Sequence, residues 1–132
     1  MKKTIEPTDE IIPPYEIGDN NWLAEKIFTT IRESSPYNCK KERILSKSRK
    51  RELVHCRIVF VNCMVIFSKQ EEIQELLKER INRNRSQISW CLQKHTKFMV
   101  RTNKTAEAQE YRHFYNRVLN DLETILQIKK AS

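Results

Sequence analysis

The sequence predicts an all-α fold, and three observations carry that expectation. Helix breakers crowd the start of the 132-residue chain: Pro7, Pro13, Pro14 and Gly18 precede residue 20, and neither residue type recurs beyond Pro36. From residue 20 onward, apolar residues recur at the three- and four-residue intervals of a helix face. The stretch Ser68 to His95, SKQEEIQELLKERINRNRSQISWCLQKH, reads as two short amphipathic helices joined by a polar corner. That arrangement is a helix-turn-helix, here with an extra helix before it and a long helix after it.

Residues 1–19 are polar, acidic and proline-bearing, and are expected to form a tail in which Ile11, Ile12 and Tyr15 alone are suited to docking. A helix is predicted over 20–33. Asp19, Asn20 and Asn21 offer caps, Leu23, Ile27, Phe28 and Ile31 form the stripe, and Ser34, Ser35 and Pro36 end it. Lys40 to Arg51 is the most basic segment, with Lys40, Lys41, Arg43, Lys47, Arg49, Lys50 and Arg51 against Glu42 alone. It suits a solvated linker or an exposed helix face. The density of charge, and the helix-turn-helix that follows, favour an arm that tracks phosphates.

Glu52 to Phe67 is ambiguous by periodicity. Val54, Ile58, Val59, Val61, Val65 and Ile66 are β-branched and suit a strand. The length of the run without Gly or Pro favours a buried central helix, aligning Leu53, Cys56, Phe60, Cys63 or Met64, and Phe67. Ser68 is the expected cap of the next helix, with Glu71 completing a capping box and Ile73, Leu76 and Leu77 as its stripe. The second helix is expected from Asn84, a favoured cap, with Gln87 at its third position. Its inner stripe is Ile88, Cys91 and Leu92, with His95 as a hydrogen-bonded residue at the core edge. Its outer face carries Ser86, Trp90, Gln93 and Lys97, flanked by Gln87 and Lys94. Thr105 then caps a last helix to about Ile128, striped by Tyr111, Tyr115, Val118, Leu122 and Ile125 and widened by Phe114, Leu119 and Leu126. Two heptads are too few for a coiled coil, so packing onto the chain's own helices is preferred to dimerisation. The expected organisation is thus a tail (1–19), an N-terminal helix with a basic connector (20–51), and a helix-turn-helix domain (52–128).

The net charge of +8 suits an anionic partner. Cys39, Cys56, Cys63 and Cys91 show no metal-ligand spacing. They read as buried thiols, which fit a reducing cytoplasm. No signal peptide follows Met1, and the most apolar run, Ile58 to Phe67, is too short to span a bilayer. With Gly18 as the single glycine, no GxxxxGK phosphate loop exists in this sequence, so it holds no ATPase motor of that kind. No paired acid, nucleophile–base set or cofactor motif has diagnostic spacing, and the expectation is a binder rather than an enzyme, with no cofactor.

A helix-turn-helix needs donors that pin phosphates and side chains at the start of its second helix that reach base edges. Arg83, Asn84, Arg85, Ser86 and Gln87 occupy that start. Arg forks onto guanine O6 and N7, and Gln pairs with adenine N6 and N7. Trp90 is expected to face outward one turn later, or to cover the core edge. Arg49, Lys50 and Arg51 from the basic segment, with Lys69 and Lys94, complete the candidate contacts to double-stranded DNA.

The segments ILSKSRKRELVHCRIVFVNCMVIF, EEIQELL and RNRSQISWCLQK resemble the C-terminal DNA-binding domain of the bacterial chromosomal replication initiator DnaA. The resemblance covers about Leu45 to Leu126. Arg83 and Asn84 match the family's Arg-Asp pair, Ser86 its first Thr and Ile88 its Val. Arg85 replaces the signature histidine and Gln87 the second Thr. The corner Lys78 to Asn82 is longer and lacks the family's glycines. Arg57 matches a family arginine, and His55 stands where the family usually places an Arg that enters the minor groove. The resemblance implies duplex binding with contacts in both grooves, by His55 and Arg57 among others, and a role in replication initiation or its control. A transcriptional regulator or a mobile-element DNA binder fits the same residues. So does an interaction module that uses the Trp90 face, the N-terminal helix or the last helix to bind protein or a second copy.

Overall fold

The computed structural model describes residues 20–35, 39–68 and 85–131, and among them every element is a helix. They are α1 (Asn20–Ser34), α2 (Lys41–Leu45), α3 (Arg51–Phe67), α4 (Arg85–Met99) and α5 (Ala106–Ala131). None is long and apolar enough to cross a membrane. The expected helix between Ser68 and Asn84 lies outside the described residues, as do the tail and the site candidates Lys69, Arg83 and Asn84.

The centre is α3, which packs against all four of the other helices. The ambiguity between strand and helix resolves as helix. Buried residues run without interruption from His55 to Met64, so this helix has no solvent face along its middle. That explains the weak periodicity of the segment, because a helix apolar on every side shows no stripe. Leu53, Cys56, Phe60, Met64 and Phe67 are all buried, as the spacing predicted.

α1 inserts Leu23, Ala24, Ile27, Phe28 and Ile31 into the same core cluster as α3, α4 and α5. The Phe28 and Phe60 rings stack with centroids 4.2 Å apart. Ser34 at the end of α1 donates a 3.0 Å hydrogen bond to Asp121 of α5. The N-terminal helix is therefore built into the core rather than appended to it.

The basic segment departs from a free arm. Residues Lys41 to Leu45 form α2, which buries Ile44. Ser46 ends it, its backbone N–H and its hydroxyl both donating to the Arg43 carbonyl, at 3.2 and 2.6 Å. Ser46 Oγ then accepts from Ser48 N, and Ser48 Oγ from Lys50 N. Two successive serine turns thus set the path from residue 46 to residue 50 and leave Lys47, Arg49 and Lys50 exposed.

Ser68 closes α3, its N–H and hydroxyl both donating to the Met64 carbonyl. Its hydroxyl thus turns back toward α3. Glu71, the expected capping partner, lies outside the described residues. At the other junction Thr105 caps α5 as the sequence predicted: its Oγ1 accepts from Ala108 N at 3.2 Å. Arg112 reaches back from α5 and donates to the carbonyls of Phe98, Val100 and Asn103, at 2.6, 3.3 and 3.0 Å. One guanidinium so satisfies the end of α4 and the turn after it. The buried stripe of α5 is Ala108, Tyr111, Tyr115, Val118, Leu122 and Leu126.

Phe60 is fully buried at the α1–α3 contact. Phe60→Ala is expected to lower the unfolding free energy by about 3–5 kcal/mol. Chemical denaturation checks this, and a loss below about 1 kcal/mol would contradict the stacked packing.

Candidate nucleic-acid interface

Helix α4 is described from Arg85 onward, with Ser86 and Gln87 near that end, and the expected cap Asn84 lies outside the described residues. Ile88, Cys91 and Phe98 are buried, while Leu92 and His95 are half-buried. Ser86, Gln87, Trp90, Gln93 and Lys97 are exposed. The two faces divide as the sequence reading divided them. Trp90 keeps 46% of its surface exposed, so the outward alternative holds for it. Lys94 is half-buried, with Nζ 6.0 Å from the Trp90 ring centre and 5.2 Å from that of Phe98. The ammonium is thus held on the flank of this face by two ring contacts.

Contacts between α3 and α4 orient this face. Asn62 Nδ2 donates to the Ile58 carbonyl at 2.8 Å and reaches the Cys91 carbonyl at 3.4 Å. Near the other end, the rings of His55 and Phe98 meet edge-on at 5.5 Å. Early α3 therefore lies beside late α4, and the two helices run antiparallel. The exposed basic residues Lys47, Arg49, Lys50 and Arg51 lead into α3, whose His55 meets Phe98 near the C-terminal end of α4. The expected base-reading residues lie at its N-terminal end. The fifteen described residues of α4 span about 22 Å.

Two of the site candidates are corrected. Arg57 is only 8% exposed. Its Nε donates to the Ile44 carbonyl and its Nη2 to the Ser46 carbonyl, both at 2.6 Å. The guanidinium holds the end of α2 and the start of the connector onto α3, so it faces the protein and not a duplex. His55 is buried, and its Nε2 shares a 3.0 Å hydrogen bond with Glu107 of α5. Its ring is enclosed edge-on by Phe98 and Tyr111. Burial next to hydrogen-bond acceptors, rather than reach toward a groove, determines both positions. Arg51 is about half exposed and lies 3.6 Å from Glu110 of α5, an exposed pair of the weak kind. Lys41 pairs with Glu25 of α1 at 2.7 Å.

Sequence reasoning missed the partners that make these assignments. Glu107, Arg112 and Tyr111 read as positions on an amphipathic helix, and nothing local marks them as bonding to residues 9 to 52 positions away. Tyr111 is the hub: its hydroxyl lies 2.7 Å from His95 Nδ1, and its ring meets those of His55, His95, Phe98 and Tyr115. Burial raises the Tyr111 phenol well above its usual range and lowers the His95 imidazole to about 4. The phenol therefore stays protonated and donates to a neutral ring. His95 is the core-edge histidine that the sequence predicted. Among the described residues no group of His, Cys, Asp and Glu is arranged to hold a metal ion.

Comparison of the chain with protein-family models, with curated proteins and with solved structures finds no match.

Arg57→Leu is expected to destabilise the fold by about 2–3 kcal/mol, since it removes a charged donor and strands two carbonyls. A residue that served only as a DNA contact would leave thermal melting of the protein unchanged, so calorimetry decides. A second expectation follows from His95. Its folded pKa lies below the ordinary 6.5, so folding favours the neutral ring. That contribution is complete above pH 6.5 and is lost as pH falls toward 4, with an upper bound of about 3 kcal/mol. His95→Asn keeps an acceptor for Tyr111 without titrating. The difference in melting temperature between the two proteins is expected to narrow or invert between pH 6.5 and 4; parallel profiles would contradict the assignment.

Proposed function

We propose that this chain binds double-stranded DNA with sequence preference, laying the exposed face of α4 in the major groove. The observation that carries the reading is the division of α4: Ile88, Cys91 and Phe98 anchor it, while Ser86, Gln87, Trp90 and Gln93 stay exposed. Ser86, Gln87 and Gln93 on this face carry side chains that suit base edges. The connector adds Lys47, Arg49 and Lys50, exposed cations on serine turns suited to phosphates. Asn84, Arg83 and Lys69 belong to the same proposed surface, together with the Arg85 side chain; their placement lies outside the described residues. The resemblance to the DnaA domain makes replication initiation or its control one role. Regulation of transcription and mobile-element biology are the others.

Trp90 favours a second reading, a protein-interaction surface, because large exposed aromatic residues are common anchors at protein interfaces. Trp90→Ala separates the two, since loss of a protein partner with unchanged DNA affinity supports the interaction module.

Selection of bound sequences from a random duplex pool tests the main reading, and failure to enrich any motif argues against sequence preference. Titrations on the selected and on a random duplex then divide the labour. Lys50→Ala is expected to weaken binding to both alike and to lower the salt slope by about one phosphate contact. Arg85→Ala is expected to cost about 1–3 kcal/mol on the selected duplex and much less on the random one. Equal, uniform losses from both substitutions would place the base-reading residues elsewhere.

A further inference from the structure

Three contacts bring the start of α3, the end of α4 and the start of α5 to one end of the bundle. The rings of His55 and Phe98 meet at 5.5 Å, His55 shares a 3.0 Å hydrogen bond with Glu107, and Arg51 lies 3.6 Å from Glu110. Two basic segments arrive at this end. The connector enters α3 here with Lys47, Arg49 and Lys50. The turn from α4 to α5 carries Arg101 and Lys104, and Lys97 precedes it in the last turn of α4. All six cations are exposed, and among the described residues none of their side chains has an ion pair or a hydrogen bond. The neighbouring acids are engaged, Glu107 with His55 and Glu110 with Arg51, while Glu52 lines the cavity between α1, α3 and α5. This end of the molecule therefore holds an excess of positive charge.

Cations near the end of a helix ordinarily serve its last carbonyls. Here other groups already do so. Arg112 donates to the Phe98, Val100 and Asn103 carbonyls, and Asn103 Nδ2 donates to the Lys97 carbonyl at 3.1 Å. Asn103 Oδ1 in turn accepts from Thr105 N and Oγ1, at 3.3 and 2.8 Å, and Gln109 Nε2 donates to the Lys104 carbonyl at 3.0 Å. The backbone of the turn is thus held from within, and Lys97, Arg101 and Lys104 have no task in holding it. A small anion cannot engage six cations from two separate segments. A polyanion with regularly repeated charge can, and duplex DNA carries one phosphate for about every 1.7 Å of its axis.

We propose that the turn between α4 and α5 is a second phosphate-binding segment, in which Lys97, Arg101 and Lys104 act with the connector cations on the backbone of a bound duplex. The proposal rests on the duplex-binding reading and extends it to residues outside the helix-turn-helix pattern. The turn supplies affinity and not choice, because phosphates are alike in every sequence. Its internally bonded backbone presents the cations in place before binding, which limits the ordering entropy lost when the duplex docks.

The test titrates the full chain with the selected and the random duplex at several salt concentrations. Arg101→Ala and Lys104→Ala are each expected to weaken binding to both duplexes by the same factor and to lower the salt slope by about one phosphate contact. The double variant is expected to lower it by about two, with thermal melting unchanged because neither side chain holds the fold. Arg101→Lys keeps the charge and is expected to retain the slope. Arg117→Ala removes an exposed cation eleven residues beyond the first residue of α5, about 16 Å along the helix, and is expected to leave the slope as it is. Wild-type slope and affinity in the double variant would overturn the proposal and leave duplex binding standing. An equal loss from Arg117→Ala would overturn it too, since net charge alone would then account for the effect. So would binding to phosphatidylserine vesicles that needs Arg101 and Lys104 while duplex binding does not. A wild-type chain that binds neither duplex would overturn it together with the DNA-binding reading.

Discussion

Helix α3 is enclosed on every side along its middle, and each polar group buried there must therefore find a partner inside the protein. Four polar side chains on or just after it are buried, and each has one. His55 bonds to Glu107, Arg57 to the Ile44 and Ser46 carbonyls, Asn62 to the Ile58 and Cys91 carbonyls, and Ser68 to the Met64 carbonyl. An unpartnered buried group of this kind costs about 1–3 kcal/mol, and more when charged. These bonds do more than avoid a penalty, since three of the four residues bond to a different element. They set how α2, α4 and α5 are placed around the core.

That constraint shapes the candidate interface. Asn62 and the His55–Phe98 contact hold α4 antiparallel to α3, which turns Ser86, Gln87 and Trp90 outward. Arg57 fixes the connector at Ile44 and Ser46, and two serine turns carry it from there to Lys50. The cations most suited to phosphate therefore sit on a path anchored to the core, and ordering such a path before binding lowers the entropy lost on binding. The buried hydrogen bonds of His55 and Arg57 thus support the surface without belonging to it.

Much of the fold was legible in the sequence because the packed helices have one apolar stripe. The spacing of Leu23, Ile27, Phe28 and Ile31, of Ile88 and Cys91, and of Tyr111, Tyr115, Val118 and Leu122 matches the observed inner face, while Leu92, His95 and Ile125 of the same stripes are half-buried. The Thr105 cap was readable because its hydrogen bond is local. α3 was harder, since a segment buried all round loses its period, and length alone favoured helix over strand. The short helix α2 was hidden by its charge. Six of the twelve residues from Lys40 to Arg51 are exposed cations, and the buried Ile44 among them gives too short a signal to mark a helix.

The sequence by itself determined the all-helical character, three of the packed faces and the outward set on α4, because each depends on residues within two or three turns of one another. Only the tertiary structure decided the fates of His55 and Arg57. A histidine and an arginine near a basic segment fit a nucleic-acid surface as well as an interior. Their roles are set by what reaches them from 11 to 52 residues away: the Ile44 and Ser46 carbonyls and Glu107. Those distances through space are fixed by how the helices pack around α3, and no local pattern encodes them.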